Sequence, residues 1–329
     1  MGERNHERVL AVLLRELAGE RGIAVESLGE GWILRLTRGG VVRYVHGYAF
    51  DLNTAATHAI ACDKAATSEV LRAAGIARVE HRLFLHPDLA PFVKHPGNWR
   101  GMLEFFEACG RDAVVKDNTG TGGRDVHRAR SALELEAGCL TLFERGHDVA
   151  LSPFVEIEEE TRLVMLEGRC EAAYSKVRPS VTGDGARTVL ELLAERVTRG
   201  GMTAEWSRFL GSLGAEGAAV LRERPGAGVV RLLNWRHNLG QGASVLMEDA
   251  GSAGMRSRVE LAKCAGAALN LVFGSVDVVR VGGREMVLEV NSGVMMEAIA
   301  GAPGGRDLAR RVYGRAVELM FADKVAPAP

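Results

Sequence analysis

Asp277, Glu289 and Asn291 stand in two apolar runs, SVDVVRV and EMVLEVN, separated by Gly282 and Gly283. A paired-glycine turn between such runs predicts a β-hairpin. Glu289 and Asn291 are two residues apart, so on a strand they share one face, and Asp277 can join them across the hairpin. Three oxygen donors on one rigid face suit Mg²⁺, which takes few protein ligands and completes its shell with water and phosphate oxygens. The same pattern also fits a hairpin whose polar side chains meet solvent.

Three further stretches carry chemistry. In VVKDNTGTGGRDV a strand delivers Lys116, followed by Thr119, Thr121, Gly122 and Gly123. Glycines let the backbone approach a polyanion, and Lys116 can meet phosphate as a point charge. The spacing is neither that of a P-loop nor of a dinucleotide fingerprint, and a hairpin with a glycine tip fits the stretch equally well. In LSPFVEIEEETRLVMLEG an acidic linker joins two strand-like runs. Phe154 or Val155 could lie against a purine ring, and Glu160, or next Glu159, could accept from ribose hydroxyls; a solvated acidic turn is the plainer reading, as charge runs usually are. In RLLNWRHNLGQGAS, Arg236 and Asn238 alternate with bulky neighbours, Trp235 falling on the other face. Arginine offers a planar fork to phosphate or carboxylate oxygens, although a polar edge strand would look the same.

These stretches need elements to hold them. Apolar spacing predicts helices over 8–19, over 96–110, over 131–146, over 188–200, over 257–272 and over 306–321, with a further helix capped by Asp63 or Thr67 and ended at Gly75. Strand patterns fall between them, including a hairpin turning at Gly39–Gly40. Residues 203–230 read as irregular to helical, and the final residues as a frayed tail. Chain length and 47% hydrophobic content fit a soluble protein of two or three subdomains. A formal net charge of −1, with no basic block, gives no general attraction to nucleic acid or an anionic membrane. Five scattered cysteines show no zinc spacing and fit a reducing cytoplasm. The N-terminal stretch is charged throughout and does not read as a signal peptide; no apolar run reaches membrane-spanning length.

Taken together, residues 53–298 resemble the ATP-grasp superfamily, nearest to its carboxylate–amine ligases: the ATP-grasp part of cyanophycin synthetase, glutathione-synthetase-like enzymes and the ribosomal-protein glutamate ligases. CDKAATSEVLRAAGIARVEHRLF looks like the entry segment, making Lys64 the first nucleotide lysine. VVKDNTGTGGRDV is similar to the second lysine with its glycine-rich lid. ETRLVMLEGRCEAAYSKVRPSVTGDGART follows the cyanophycin-synthetase pattern through Arg162, Arg178–Pro179, Gly183–Asp184–Gly185 and Thr188. RHNLGQGAS resembles the Arg-x-Asn-Leu segment, and DVV…LEVNSG the metal acids and asparagine. Several positions depart from the pattern. Asp125 replaces a usual lid glycine, Ser152–Pro153 a usual hinge glutamate, and SGVMME a turn that often holds proline.

The resemblance implies an α+β ATP-grasp fold, two α+β lobes sandwiching the nucleotide after a short N-terminal α/β region. The expected divisions are 1–62, a lobe with the lid over 63–150, a metal-bearing lobe over 151–322, and a tail over 323–329. It implies ATP and Mg²⁺, one or two ions replaceable by Mn²⁺, held by Asp277, Glu289 and Asn291. Lys64 and Lys116 would meet the α- and β-phosphates, the 119–124 loop would close over the γ-phosphate, and Arg236 with Asn238 would stabilise the transferring phosphoryl group. Arg162 and Arg178 would position a substrate carboxylate. The implied reaction joins a small-molecule carboxylate to an amine through an acylphosphate, in a cytoplasmic homodimer with no nucleic-acid or membrane partner. A phosphotransferase that stops after phosphorylation, or an inactive nucleotide-binding protein, are the alternatives.

Overall fold

The computed structural model describes residues 7–88, 98–200 and 219–322. The expected tail over 323–329, and most of the stretch read as irregular over 203–230, lie outside them. The first described helix, α1 (Val9–Glu20), buries Leu10, Leu13, Leu14 and Leu17, the stripe that 3.6-residue spacing dictates. It is followed by β1 (Ala24–Leu28), β2 (Ile33–Arg38), β3 (Val41–His46) and β4 (Ala49–Phe50), an antiparallel four-stranded sheet in chain order. Strand β1 and the next helix, α2 (Ala55–Ala61), have no counterpart in the sequence reading. Helix α3 (Lys64–Ala73) starts where expected: the Asp63 carboxylate accepts from the Ala66 amide at 2.7 Å.

The second unit comprises β5 (Arg82–Phe84), α4 (Asn98–Ala108), β6 (Ala113–Asp117), β7 (His127–Ala129), α5 (Ala132–Phe143) and β8 (Val149–Pro153). Its sheet has the order β5-β8-β6-β7, and its core is closed by Phe84, Phe106, Val115, Leu135 and Leu151.

The third unit begins with the long pair β9 (Glu159–Leu166) and β10 (Arg169–Val177). Then come β11 (Ser180–Thr182), α6 (Val189–Gly200), β12 (Val230–Leu232) and β13 (Ser244–Glu248). The chain closes with α7 (Arg256–Ala268), β14 (Phe273–Val281), β15 (Arg284–Asn291), α8 (Glu297–Ala300) and α9 (Gly305–Phe321). Five of these strands form one antiparallel sheet in the order β13-β10-β9-β14-β15. Strand alternation gives it two different faces. One packs Leu163, Met165, Val276, Val278 and Val290 against Val259, Ala262 and Ala265 of α7. The other is apolar at one end, where Val164, Leu166, Tyr174 and Phe273 meet α1, α9 and the N-terminal sheet. The opposite end of that second face carries charge.

β15 is also tied to the segment before β5: Val79 N–H donates to Val287 O and Val287 N–H to Ala77 O, each at 2.9 Å. No helix among the described residues is long and apolar enough to cross a membrane.

The join between β14 and β15 leaves no spare room. A Cβ on Gly274 would sit 2.5 Å from Asn291 O and 2.8 Å from Leu271. Gly274→Ala is therefore expected to cost about 1–3 kcal/mol through overpacking. A denaturant midpoint that does not move in that variant would contradict this.

Candidate functional site

The charged end of the sheet is built by register. Asp277 is the cross-strand partner of both Arg162 on β9 and Glu289 on β15, and Ser275 is the partner of Asn291. Facing residues point to the same side, so Arg162, Asp277, Glu289 and Asn291 share one face, as the sequence reading expected for the three oxygen donors. Asn291 Nδ2 lies 3.2 Å from Glu289 Oε1.

Asp277 is wholly buried. Arg162 grips it with both arms: Nε–H to Oδ1 and Nη2–H to Oδ2, each at 2.6 Å, with Nη2 also 3.3 Å from Glu289. Lys176 Nζ completes the cluster, donating to Asp277 Oδ2 at 2.7 Å and to Glu160 Oε1 at 2.5 Å. Burial alone would raise the Asp277 carboxyl, but Arg162 and Lys176 outweigh it and hold it well below the usual range. Glu160 goes the other way, raised chiefly by burial and further by Asp277, against the pull of Lys176.

Two placements differ from expectation. Glu160 is not on the exposed linker: it is the second residue of β9, 6% exposed, and strand alternation turns it toward Lys176. The exposed linker acids are Glu156, 3.2 Å from Arg178, and Glu158, which accepts from Gly283 N–H. Arg162 offers its fork to Asp277 rather than to the open side, because the β9–β14 register sets the two opposite each other. Arg178 follows β10 and is mostly buried.

The glycine-rich loop follows Lys116 directly and is tied from both sides. Lys64, first residue of α3, donates from Nζ to three of its carbonyls: Asp117 at 3.0 Å, Asn118 at 3.3 Å and Gly120 at 2.6 Å. The Asn118 side chain in turn caps α3 by accepting from Ala65 N–H. Thr119 is held by Asp117 Oδ1 through its amide and hydroxyl, and Thr121 is exposed. From the other side come Arg236 and Asn238. Arg236 Nη2 donates to Val126 O at 2.5 Å and Nη1 to Gln241 Oε1 at 3.0 Å, while Gln241 Nε2 reaches Gly123 O at 2.9 Å. Gly122 and Gly123 both have positive φ, and a Cβ on Gly123 would lie 2.5 Å from Asn238 Nδ2. Asp125, in the place of a usual lid glycine, takes φ +52° and is held by Arg145 at 2.6 Å. That conformation is uncommon for a residue with a Cβ.

At the linker, Phe154 N–H donates to Asp112 O at 2.9 Å. The Arg128 guanidinium stacks 3.3 Å from the centre of the Phe154 ring, and Trp235 meets that ring edge-on at 5.5 Å. Trp235 thus pins the Arg236 segment to the linker, and Val155 beside it is half-buried.

The electrostatics divide in two. Arg162 and Lys176 are matched by Asp277, Glu160 and Glu289. Lys64, Lys116 and Arg236, all at the glycine-rich loop, have no acid partner among the described residues. Arg236 Nε is buried without a hydrogen-bond partner among the described residues, whereas His237, whose Nδ1 donates to Lys176 O at 2.8 Å, turns only a lone pair from its buried Nε2. Cations and donors left unmatched together suit a polyanion. For a divalent cation the donor set is oxygen-only, as Mg²⁺ requires. No three His, Cys, Asp or Glu side chains gather as a metal cage among the described residues, so Glu289, about one-third exposed, and Asn291 are the open donors with Asp277 behind them. Lys176 and Gln241 were not singled out from sequence. Period-two alternation from Tyr174, the partner of Arg162, would have put Lys176 on the charged face; nothing local marks Gln241.

No family model matches the chain, and no curated protein matches it. Solved structures do. The chain is similar to a bifunctional glutathione synthetase from Pasteurella multocida, with TM-score 0.55 and 17% identity, over 94% of this chain and 44% of that one. It therefore spans less than half of that protein's length. It is similar also to D-alanine–D-alanine ligase from Bacillus anthracis, with TM-score 0.50 and 17% identity, over 81% of this chain and 68% of that one.

Lys176 bridges two buried acids, so Lys176→Met leaves both without a counter-charge and is expected to destabilise the fold by about 3–5 kcal/mol. Adding Glu160→Gln should recover part of the loss. Chemical denaturation of the single and double variants checks this, and equal stability of Lys176→Met and wild type would contradict it.

Proposed function

We propose, from the ATP-grasp fold that the chain shares with these ligases, that it is an ATP-dependent, ADP-forming ligase joining a small-molecule carboxylate to an amine. One observation carries the reading. Lys64, Lys116 and Arg236, three cations without acid partners among the described residues, converge on a glycine-rich loop, while Glu289 and Asn291 stand open on the charged sheet face. Burial lowers the Lys116 pKa to about 8, with Lys64 adding and Glu289 and Glu160 opposing, so these groups sit within electrostatic reach of one another.

In this reading the ATP phosphates lie between the two sets. Lys64 and Lys116 neutralise phosphate oxygens, and amides of the 119–124 loop donate to them. Mg²⁺ or Mn²⁺, when bound, would lower the charge on those oxygens; Glu289 and Asn291, backed by Asp277, would hold it. A substrate carboxylate oxygen attacks the γ-phosphorus, the bond to the β-phosphate oxygen breaks, and ADP leaves. The amine nitrogen then attacks the acyl carbon, the acyl–oxygen bond breaks, phosphate departs and the amine loses a proton. Arg236 faces the loop from the other side and stabilises the transferring group and then the oxyanion. The closed loop excludes water from the acylphosphate. Because Arg162 is engaged by Asp277, Arg178 is the better placed of the two to orient the substrate carboxylate. Phe154 and Val155 supply an apolar edge for the purine. Glu160 would meet the ribose after a change of partner. Amino acids, short peptides or a related metabolite are the proposed substrates, in a reducing cytoplasm that suits five unpaired thiols, with a homodimer as the proposed assembly.

The test is a screen of amino-acid and peptide pairs for phosphate release from Mg-ATP. Release that needs both acid and amine is expected; release with acid alone would identify a phosphotransferase, and none with any pair would remove the ligase reading. Glu289→Gln is expected to lower turnover by about a hundredfold or more with the unfolding midpoint little changed. Undiminished ATP consumption in that variant would contradict the role given to Glu289.

A further inference from the structure

His81 lies near the end of the entry segment that carries Lys64, where no role falls to it, and it is buried to 3% exposure beside Lys116. Its backbone N–H donates to Ser68 Oγ at 3.1 Å, its Nδ1 lies 3.1 Å from Val79 O, and its Nε2 lies 2.9 Å from Lys116 Nζ. A carbonyl only accepts, so Nδ1 carries the proton and Nε2 presents its lone pair to the ammonium. Val79 is itself bonded to Val287 on β15, the strand that carries Glu289. The ring is thus fixed relative to both the charged sheet face and the end of β6.

We infer that His81 is a positioning residue: its Nε2 aims the Lys116 ammonium at the nucleotide phosphates without touching the nucleotide itself. The inference rests on the nucleotide reading above. Lysine is a point charge on a flexible four-carbon stem, and Lys116 makes no ion pair among the described residues, so the buried acceptor of His81 decides where the charge sits. The ring stays neutral: burial first, then the charges of Lys116, Lys64 and Arg78, keep its pKa well below the usual value, the Val79 carbonyl opposing. Lys116 faces His81, Lys64 from α3, Glu289 from β15 and Glu160 from β9, and its pKa lies near 8. It is charged below that pH and loses its hold on phosphate as pH rises through it. An acceptor at Nε2 favours the charged form, so removing it moves the loss to lower pH.

Calorimetric titration of ATP into the full chain, from about pH 6.5 to 9.5, tests this. Wild-type affinity should fall as pH rises through about 8. His81→Leu should weaken binding about tenfold at neutral pH and move the fall to lower pH. His81→Gln, which keeps an acceptor oxygen, should restore most of the affinity and the original pH profile. Unchanged binding in His81→Leu would overturn the inference. So would an equal loss at every pH in both variants, since a ring that only fills space behaves that way. A wild type that binds no ATP at any pH would overturn the nucleotide reading and this inference together.

Discussion

The antiparallel register of β9, β14 and β15 is the constraint on which the site depends. It sets Arg162, Asp277 and Glu289 abreast on three adjacent strands. A slip of one residue would turn all of them to the α7 face and send Val276, Val278 and Val290 into the charged end. The apolar contacts with α7 therefore hold the register, and the register holds the charges. The tight approach of Gly274 to Asn291 O closes the β14–β15 join just where the oxygen donors end.

Charge is then distributed unevenly on purpose-built supports. On the sheet, buried acids are met by Arg162 and Lys176, and a buried carboxylate without such partners would be expensive. At the loop, Lys64, Lys116 and Arg236 are held by carbonyls, an imidazole and an amide oxygen, all neutral acceptors. Neutral acceptors orient a cation without cancelling its charge. The first arrangement stabilises the folded chain, and the second leaves positive potential over the loop for a ligand to satisfy.

Much of this was legible in the sequence, for physical reasons. The hairpin carrying Asp277, Glu289 and Asn291 follows from two apolar runs and a glycine pair, because the period of a strand fixes which side chains share a face. Helix α3 was readable from Asp63, and the amphipathic α1 and α9 from their spacing. What escaped depends on pairing between distant segments. Glu160 reads as a linker acid until β9 is seen to begin at Glu159, because acidic residues have low strand propensity and mask the start. Arg162 reads as an open cation until β14 is placed beside it. Strand β1, AVESL, is largely exposed and lacks a clean alternation. His81 has no local signal, since only the fold brings it to Lys116.

The most direct test of the account is anomalous diffraction from crystals grown with a non-hydrolysable ATP analogue and Mn²⁺. A manganese peak is expected beside Glu289 and Asn291, with the triphosphate running between that ion and Lys64, Lys116 and Arg236. Nucleotide density elsewhere on the chain, or a peak away from those two donors, would contradict it.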